Sequence, residues 1–350
     1  MLPSQNSPGV PMRRGLRLDL ASVTKVASTT VAVMRLIAER QIRLDDTVRS
    51  FLPLFSGDGK EAITVRQLLT HTAGMRQWWP LYLESTQREE TIERVQRLSL
   101  AAQPGDAWSY SDLGLMLAGA VVERVTTHCL ADAYRILVAE PIGLTSTYGP
   151  VAADTAVTSA DSDVYEQRMV ETGIPYPVPF VADEFLGWRG HPLRGEVNDG
   201  NTAHALGGVS GHAGLFSTVD DLLALGAAIR GGNFIPRRVV HAFAESTSLR
   251  SDQAVGFRCT TVNVDGDPIT ILHHGGFTGA CFGFALEKEV VVAGGVMRLY
   301  GTVGQLSRHG PLTPLPQLVT VDHIQKILLA TAADALRTEP TRATTLPEDV

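Results

Sequence analysis

The chain has 350 residues, 44% apolar and 19% charged, enough to bury a large core as one big domain or two lobes. A net charge of −7 and a pI near 5.8 give no electrostatic case for nucleic acid or an anionic membrane. Three cysteines (Cys129, Cys259, Cys281) are too few for a disulfide framework, no apolar h-region opens the chain and no run approaches a membrane span, so a soluble, cytoplasmic protein is expected.

Residues 1–15 are polar with Pro and Gly and read as a flexible start. From Val23 the apolar residues fall at 23, 26, 27, 31, 33, 34, 37 and 38, the spacing of a buried helix from Ser22 to near Arg40. Ile63 to Leu69 is a short helix with Thr64 as N-cap, running into the turn His71-Thr72-Ala73-Gly74-Met75. A helix follows from Glu89 to Leu100. Another runs from Leu113 to about Val125, its Gly114, Ala118 and Gly119 permitting close packing.

Residues 150–205 hold five of the nineteen prolines and several aromatics with little periodicity, the composition of an irregular lid or binding loop. A glycine-rich stretch, Leu206 to Leu215, precedes a helix from Thr218 to about Arg230. Phe257 to Val264, Ile269 to Leu272, Ala280 to Leu286 and Val290 to Val296 read as strands, and Val321 to Leu336 as a last helix. The tail 338–350 reads as disordered. Helices in the middle and strands at the end imply an α+β protein. One catalytic domain, 16–337, is expected, with a sheet lobe (16–45 and 216–337) and a helical lobe (46–215).

Ser22 and Lys25 stand one turn apart on a helix face. A serine hydroxyl needs a base to become a nucleophile, and a lysine serves only if its ammonium is easy to deprotonate. Burial and a helix N-terminus both act in that direction. The chain has four lysines against 26 arginines, and this one lies on an apolar helix. Tyr110 offers a phenol that relays a proton if Lys25 lowers its pKa, and Asp112 can accept from Lys25 or from substrate. His274-Gly275-Gly276 lies between two predicted strands, where glycines let a substrate lie along the backbone. Gly207 to Gly214 lacks the Gly-Lys-Ser/Thr of a phosphate loop, and His212 stands where a nucleophile elbow needs glycine. It is read as backbone packing near the site. No histidine spacing calls for a metal.

Ser-x-x-Lys, then Tyr-x-Asp, then His-Gly-Gly, in this order, resembles the serine β-lactamase and penicillin-binding-protein superfamily, above all its class C-like esterases and transacylases. Supporting phrases such as ITVRQLLTHTAGM, PGDAWSYSDLGLMLAG and HHGGFTG extend the resemblance from about residue 18 to 300. It implies an antiparallel sheet flanked by helices with an inserted helical lobe and the site in the cleft between. It further implies Ser22 as nucleophile, Lys25 with Tyr110 as the base pair, and an oxyanion hole of the Ser22 and Phe277 N–H groups. Asp112, His274, Gly275, Gly276 and Trp188 are the expected substrate contacts, and no cofactor is called for.

His274 replaces the lysine of the third β-lactamase motif, and Asp112 the amide-bearing asparagine of the second. Both favour a serine acyl-transfer enzyme, acting on a small ester or amide with water or a small amine or alcohol as acceptor, over a β-lactamase or peptidoglycan enzyme. A catalytically silent binding protein is the other alternative. Only 21 residues precede Ser22, too few for the two leading strands of the family. The sheet is therefore expected to lack them, or the start to lie too far downstream. Without them Val290-Val291-Val292 borders an open edge, so a homodimer covering it, or poor solubility, is expected.

Overall fold

The computed structural model describes residues 13–247, 249–301 and 320–338. Its organising element is the helix α1, Ala21–Ala38. The helix opens with a tight 3₁₀ turn at Ala21–Val23, widens over Lys25–Thr30 and becomes regular over Val31–Ala38. Its 18 residues are long and apolar enough to cross a membrane, contrary to the expectation that no run approaches a span. Most of them are buried inside the protein, as befits a core helix that is apolar nearly all round. Val23, Val26, Ala27, Val31 and Val33 are fully buried, and burying each such valine contributes roughly 1.5–3 kcal/mol.

The polar residues of α1 are buried too, so each needs a partner. Ser28 Oγ bonds Tyr148 Oη at 2.9 Å, Thr29 Oγ1 donates to the Gly211 carbonyl at 2.7 Å, and Thr24 Oγ1 accepts from Leu215 N–H at 3.2 Å. Those bonds set how the glycine-rich segment lies against α1.

The remaining longer helices are α2 (Arg88–Arg97), α3 (Asp112–Thr126), α4 (Leu130–Ile142), α5 (Val164–Thr172), α6 (Val219–Gly231), α7 (Arg237–Ala244) and α8 (Val321–Thr338). Their starts follow local chemistry. Ser111 Oγ caps α3 by accepting from Gly114 N–H, and Thr218 Oγ1 caps α6 through Asp221 N–H. Thr64 and Gln67 form a reciprocal capping box on the short helix Val65–Leu69. Helices α4 and α7 carry no strong start signal in the sequence and went unpredicted.

The strands are β1 (Leu18–Asp19), β2 (Thr147–Tyr148), β3 (Thr158–Ala160), β4 (Leu193–Arg194), β5 (Leu215–Ser217), β6 (Arg258–Val264), β7 (Asp267–Gly275), β8 (Ala280–Ala285) and β9 (Val291–Gly295). They form an antiparallel four-stranded sheet in the order β6-β7-β8-β9, a three-stranded sheet β1-β5-β2 and the pair β3-β4. Asp265 and Gly266, with φ of 54° and 97°, make the two-residue hairpin that sets the β6–β7 register. Alternation splits the large sheet between two cores: Leu272, Phe282 and Phe284 face the helical side, whereas Ile269, Ile271 and Cys281 pack under Ile324, Leu328 and Ala332 of α8.

The fold is thus α+β, with helices on both faces of an antiparallel sheet. Among the described residues nothing pairs with the outer edge of β9, and the segment ahead of Ser22 contributes only β1, in a different sheet. His274 and Gly275, read as lying between strands, are inside β7 and pair with Phe282 and Cys281. The lid is more ordered than its composition implied, carrying β3, α5 and β4. Trp78, Val170 and Ala182 bury a small core of their own beneath Tyr176, Phe180 and Trp188. The expectations for residues 1–12 and 339–350 lie outside the described residues; Thr338, assigned to the tail, is the last residue of α8.

Candidate active site

Ser22 sits in the first turn of α1, just after Ala21, whose φ of 44° is unusual for a residue with a Cβ. That conformation persists because its surroundings over-determine it. Asp19 Oδ1 accepts the Ala21 N–H at 2.9 Å, and Thr278 Oγ1 donates to the Asp19 carbonyl at 2.7 Å. Gly276 lies so close that a Cβ there would stand 2.4 Å from the Leu20 carbonyl oxygen. The Ser22 turn and the β7–β8 turn are therefore clamped together. Burial pushes the Asp19 carboxyl up to about 6, against the pull of the Asn198 and Ala21 N–H groups it accepts.

Lys25, 1% exposed, donates to Ser22 Oγ at 2.7 Å and to the His212 carbonyl at 3.3 Å. Its Nζ also lies 2.7 Å from Asp112 Oδ1. Burial alone would favour the neutral amine, but the Asp112 carboxylate and the Tyr110 phenol outweigh it and hold the ammonium well above its ordinary range. The expectation of an easily deprotonated lysine is thus corrected: the helix face that buries Lys25 also meets Asp112 at the head of α3.

Tyr110 faces both Lys25 and Ser22, with the Lys25 Nζ 4.9 Å from its ring centre. Lys25 does lower its pKa, but burial wins and the phenol ends above its ordinary value. His71 sets the position of this tyrosine. Its Nδ1 accepts from Ser111 N–H at 3.0 Å, its carbonyl accepts from Ser109 N–H at 2.9 Å, and its ring lies 4.6 Å from that of Tyr110. Burial, then Lys25, keeps this imidazole neutral.

Neither the Ser22 N–H nor the Phe277 N–H donates to any described residue, and both residues line one cavity of about 240 Å³. An oxyanion hole requires two free donors beside a nucleophilic group, and these two flank the Ser22 hydroxyl. Asp112 lines the same cavity. His274, Gly275, Gly276 and Trp188 do not. His274 donates from Nδ1 to the Gly275 carbonyl at 2.8 Å, and burial drives its pKa to about 3. A Cβ on Gly275 would strike Val321 of α8, so both glycines serve close chain packing, and Phe277 alone of the motif reaches the cleft. Trp188 donates from Nε1 to Ala182 and packs on Tyr82 and Phe185 inside the lid.

Sequence reasoning missed the far wall. Asp163, Glu166 and Asp199 line the cleft beside Trp78, Tyr165 and Tyr176. Asp163 is chelated by Arg189, with a 2.6 Å bond, and contacts His204 at 2.9 Å. Burial would raise its pKa, but His204 and Arg189 bring it below the ordinary range. Asp199 bonds His212 Nε2 at 3.0 Å, and His212 Nδ1 bonds Ser210 Oγ at 2.7 Å. Carboxylate oxygens of Asp112 and Asp199 and a ring nitrogen of His212 lie within 4.8 Å of one another, three atoms of metal-ligating type brought together from distant positions. No spacing rule spans such separations.

The Beta-lactamase family profile matches residues 4–306. Esterase EstB of Burkholderia gladioli is 33% identical over 269 residues, 70% of this chain and 64% of that protein. A putative D-alanyl-D-alanine carboxypeptidase of Escherichia coli is 30% identical over 63% of this chain and 52% of its own length. The chain therefore spans about half to under two thirds of these relatives. Among solved structures, EstCE1, "a hydrolase with promiscuous acyltransferase activity", aligns at TM-score 0.60 and 23% identity, covering 81% of this chain and 80% of that one. A penicillin-binding protein from Bacillus halodurans aligns at 0.61 and 16% identity, over 92% and 88%. These two likenesses bear on fold alone. With the Ser22–Lys25–Tyr110 cluster at the mouth of the cleft and a profile match across most of its length, this chain belongs to the Beta-lactamase family.

Proposed function

We propose that the protein is a serine acyl-transfer enzyme, forming an acyl-Ser22 intermediate from a small ester or amide. The observation that carries this reading is the 2.7 Å contact of Ser22 Oγ with buried Lys25, at the edge of a cavity with two free N–H groups. Once the Lys25–Tyr110 pair has lost one proton, it takes the proton of Ser22 as Oγ attacks the carbonyl carbon. The Ser22 and Phe277 N–H groups hold the oxyanion. The C–O or C–N bond to the leaving group then breaks, and the pair returns its proton to that group. Water, or a small alcohol or amine, attacks the acyl-enzyme and gives up a proton by the same route, restoring Ser22.

Relatives named as an esterase and a carboxypeptidase are consistent with this chemistry. A β-lactamase or D-Ala peptidase reading is less well supported. Asp112, Asp163, Glu166 and Asp199 line the cleft and, among the described residues, no lysine or arginine does, so a substrate carboxylate finds no cation there to receive it.

Intact-mass measurement after exposure to a panel of activated esters tests the proposal. A single acyl adduct on Ser22 is expected, absent from folded Ser22→Ala protein. Repeating the reaction with added amines and alcohols separates outcomes: ester or amide products mean transfer, and free acid alone means hydrolysis. Wild-type turnover by Ser22→Ala would refute the mechanism.

A further inference from the structure

The carboxyls of the cleft are unevenly matched by cations. Asp163 is answered by Arg189, and Asp112 by Lys25. Among the described residues, Asp199 has only the imidazole of His212 and the Thr202 donors. Glu166 accepts the Gly200 N–H at 2.7 Å, and its other oxygen is buried without a hydrogen-bond partner among the described residues. The crowding has a consequence at Glu166. Burial, and then the charge of Asp199, push its carboxyl well above the usual range, which disfavours a second charge beside Asp199. A wall of this kind accepts one more positive charge and resists a negative one.

The place for that charge is defined by geometry. Asp112 and Asp199 present oxygens within 4.8 Å of each other, close enough for one ammonium to donate to both. Asp112 Oδ1 is 2.7 Å from Lys25 Nζ, itself 2.7 Å from Ser22 Oγ, so it stands no more than two hydrogen-bond lengths from the nucleophile. An amine nitrogen two bonds from a carbonyl carbon matches that reach. Trp78 and Tyr176, stacked with centres 6.0 Å apart, add aromatic surface of the kind that attracts cations. Lys25 already neutralises Asp112, so the two carboxylates leave room for one added positive charge and not for the two of a dication.

We propose that the acyl donor is an aminoacyl ester or amide, its protonated amine seated between Asp112 and Asp199 while its carbonyl lies over Ser22 Oγ. This inference rests on the acyl-transfer reading above and names its substrate class. The test compares alanine methyl ester, N-acetylalanine methyl ester and methyl propionate on the full-length protein, by product quantification. At pH 7 kcat/KM for the alanine ester should exceed that for the propionate on the order of tenfold to a hundredfold, the usual worth of a charge-assisted hydrogen bond. The acetylated ester should lose the advantage.

The alanine-to-propionate ratio should fall toward one as the pH passes about 8, where an α-amine loses its proton. The ratio cancels the enzyme's own titrations, and each rate entering it is divided by that ester's own hydroxide hydrolysis rate, which removes the intrinsic activation an α-ammonium gives an ester. Asp199→Asn should shrink the ratio, and if that variant fails to fold, the wild-type pH dependence decides alone. A ratio near or below one at pH 7, a ratio that ignores pH, or no turnover of the alanine ester would overturn the inference. If p-nitrophenyl propionate still acylates Ser22, only the substrate class is wrong; if no donor acylates Ser22, the reading beneath it falls as well.

Discussion

Asp112 is the residue on which the chemistry of the site turns. An asparagine at this position would leave only the Tyr110 phenol to oppose the burial of Lys25, which favours the free amine. The carboxylate reverses that balance and keeps the ammonium. In the proposed mechanism the Lys25–Tyr110 pair loses a proton before it takes one from Ser22, so kcat/KM should climb with pH across the neutral range. Asp112→Asn should move that limb toward acid by about one pH unit or more, the usual effect of an adjacent opposite charge. A pH–rate profile on a neutral ester reads this directly, and an unmoved limb would show that Asp112 does not set the base. Lys25→Ala and Tyr110→Phe should each lower kcat by about 10²–10⁴-fold, the range of a general base. Their double mutant should lose little more than the worse single, since the two act as one unit; multiplied losses would separate their roles.

At the scale of elements, the site depends on how tightly backbone segments approach. Gly211 is pressed against α3: a Cβ there would stand 2.1 Å from the Leu115 carbonyl oxygen and 2.9 Å from Gly119 N. Gly119 is equally intolerant, its Cβ falling 2.9 Å from Gly211 Cα. The neighbouring His212 carbonyl then reaches Lys25, and Thr29 fixes the Gly211 carbonyl. Gly211→Ala should therefore destabilise by roughly 1–3 kcal/mol, as overpacking does, and should lower kcat in whatever protein remains folded. Urea denaturation gives the first quantity and single-substrate kinetics the second. Unchanged values in both would mean that the segment can retreat from α3 at no cost.

At the scale of the whole molecule, three buried histidines link stability to pH. Burial, reinforced by Arg258, lowers His273 to about 4; burial, reinforced by Lys25, lowers His274 to about 3 and holds His71 well below its ordinary 6.5. Each binds a proton in the unfolded chain below about 6.5 but refuses it in the folded protein, so acidification favours unfolding. Stability is full above about 6.5 and is lost progressively as the pH falls toward those depressed values, by about 1–2 kcal/mol per histidine between pH 6.5 and 5. The urea midpoint should drop over that interval. His273→Gln, which removes one such group that does not line the cleft, should drop less. A midpoint that rises on acidification would contradict the neutral state assigned to these rings.

Local signals determined much of this protein. Apolar spacing marked α1, a threonine cap marked Val65–Leu69, β-branched runs bounded by glycine marked β6 to β9, and three short motifs in order located Ser22, Lys25 and Tyr110. Tertiary structure alone decided their electrostatics. Lys25 is buried as the sequence implied, yet it is more tightly protonated rather than less, because α3 delivers a carboxylate to its Nζ. The glycines of the third motif were legible as necessary but not as packing glycines, since the clashing atoms belong to Leu20 and α8. The acidic far wall was out of reach for the same reason. Asp163, Glu166, Asp199 and His212 are ordinary residues in an aperiodic stretch, and only the folding of the lid onto α1 turns them into one surface facing the nucleophile.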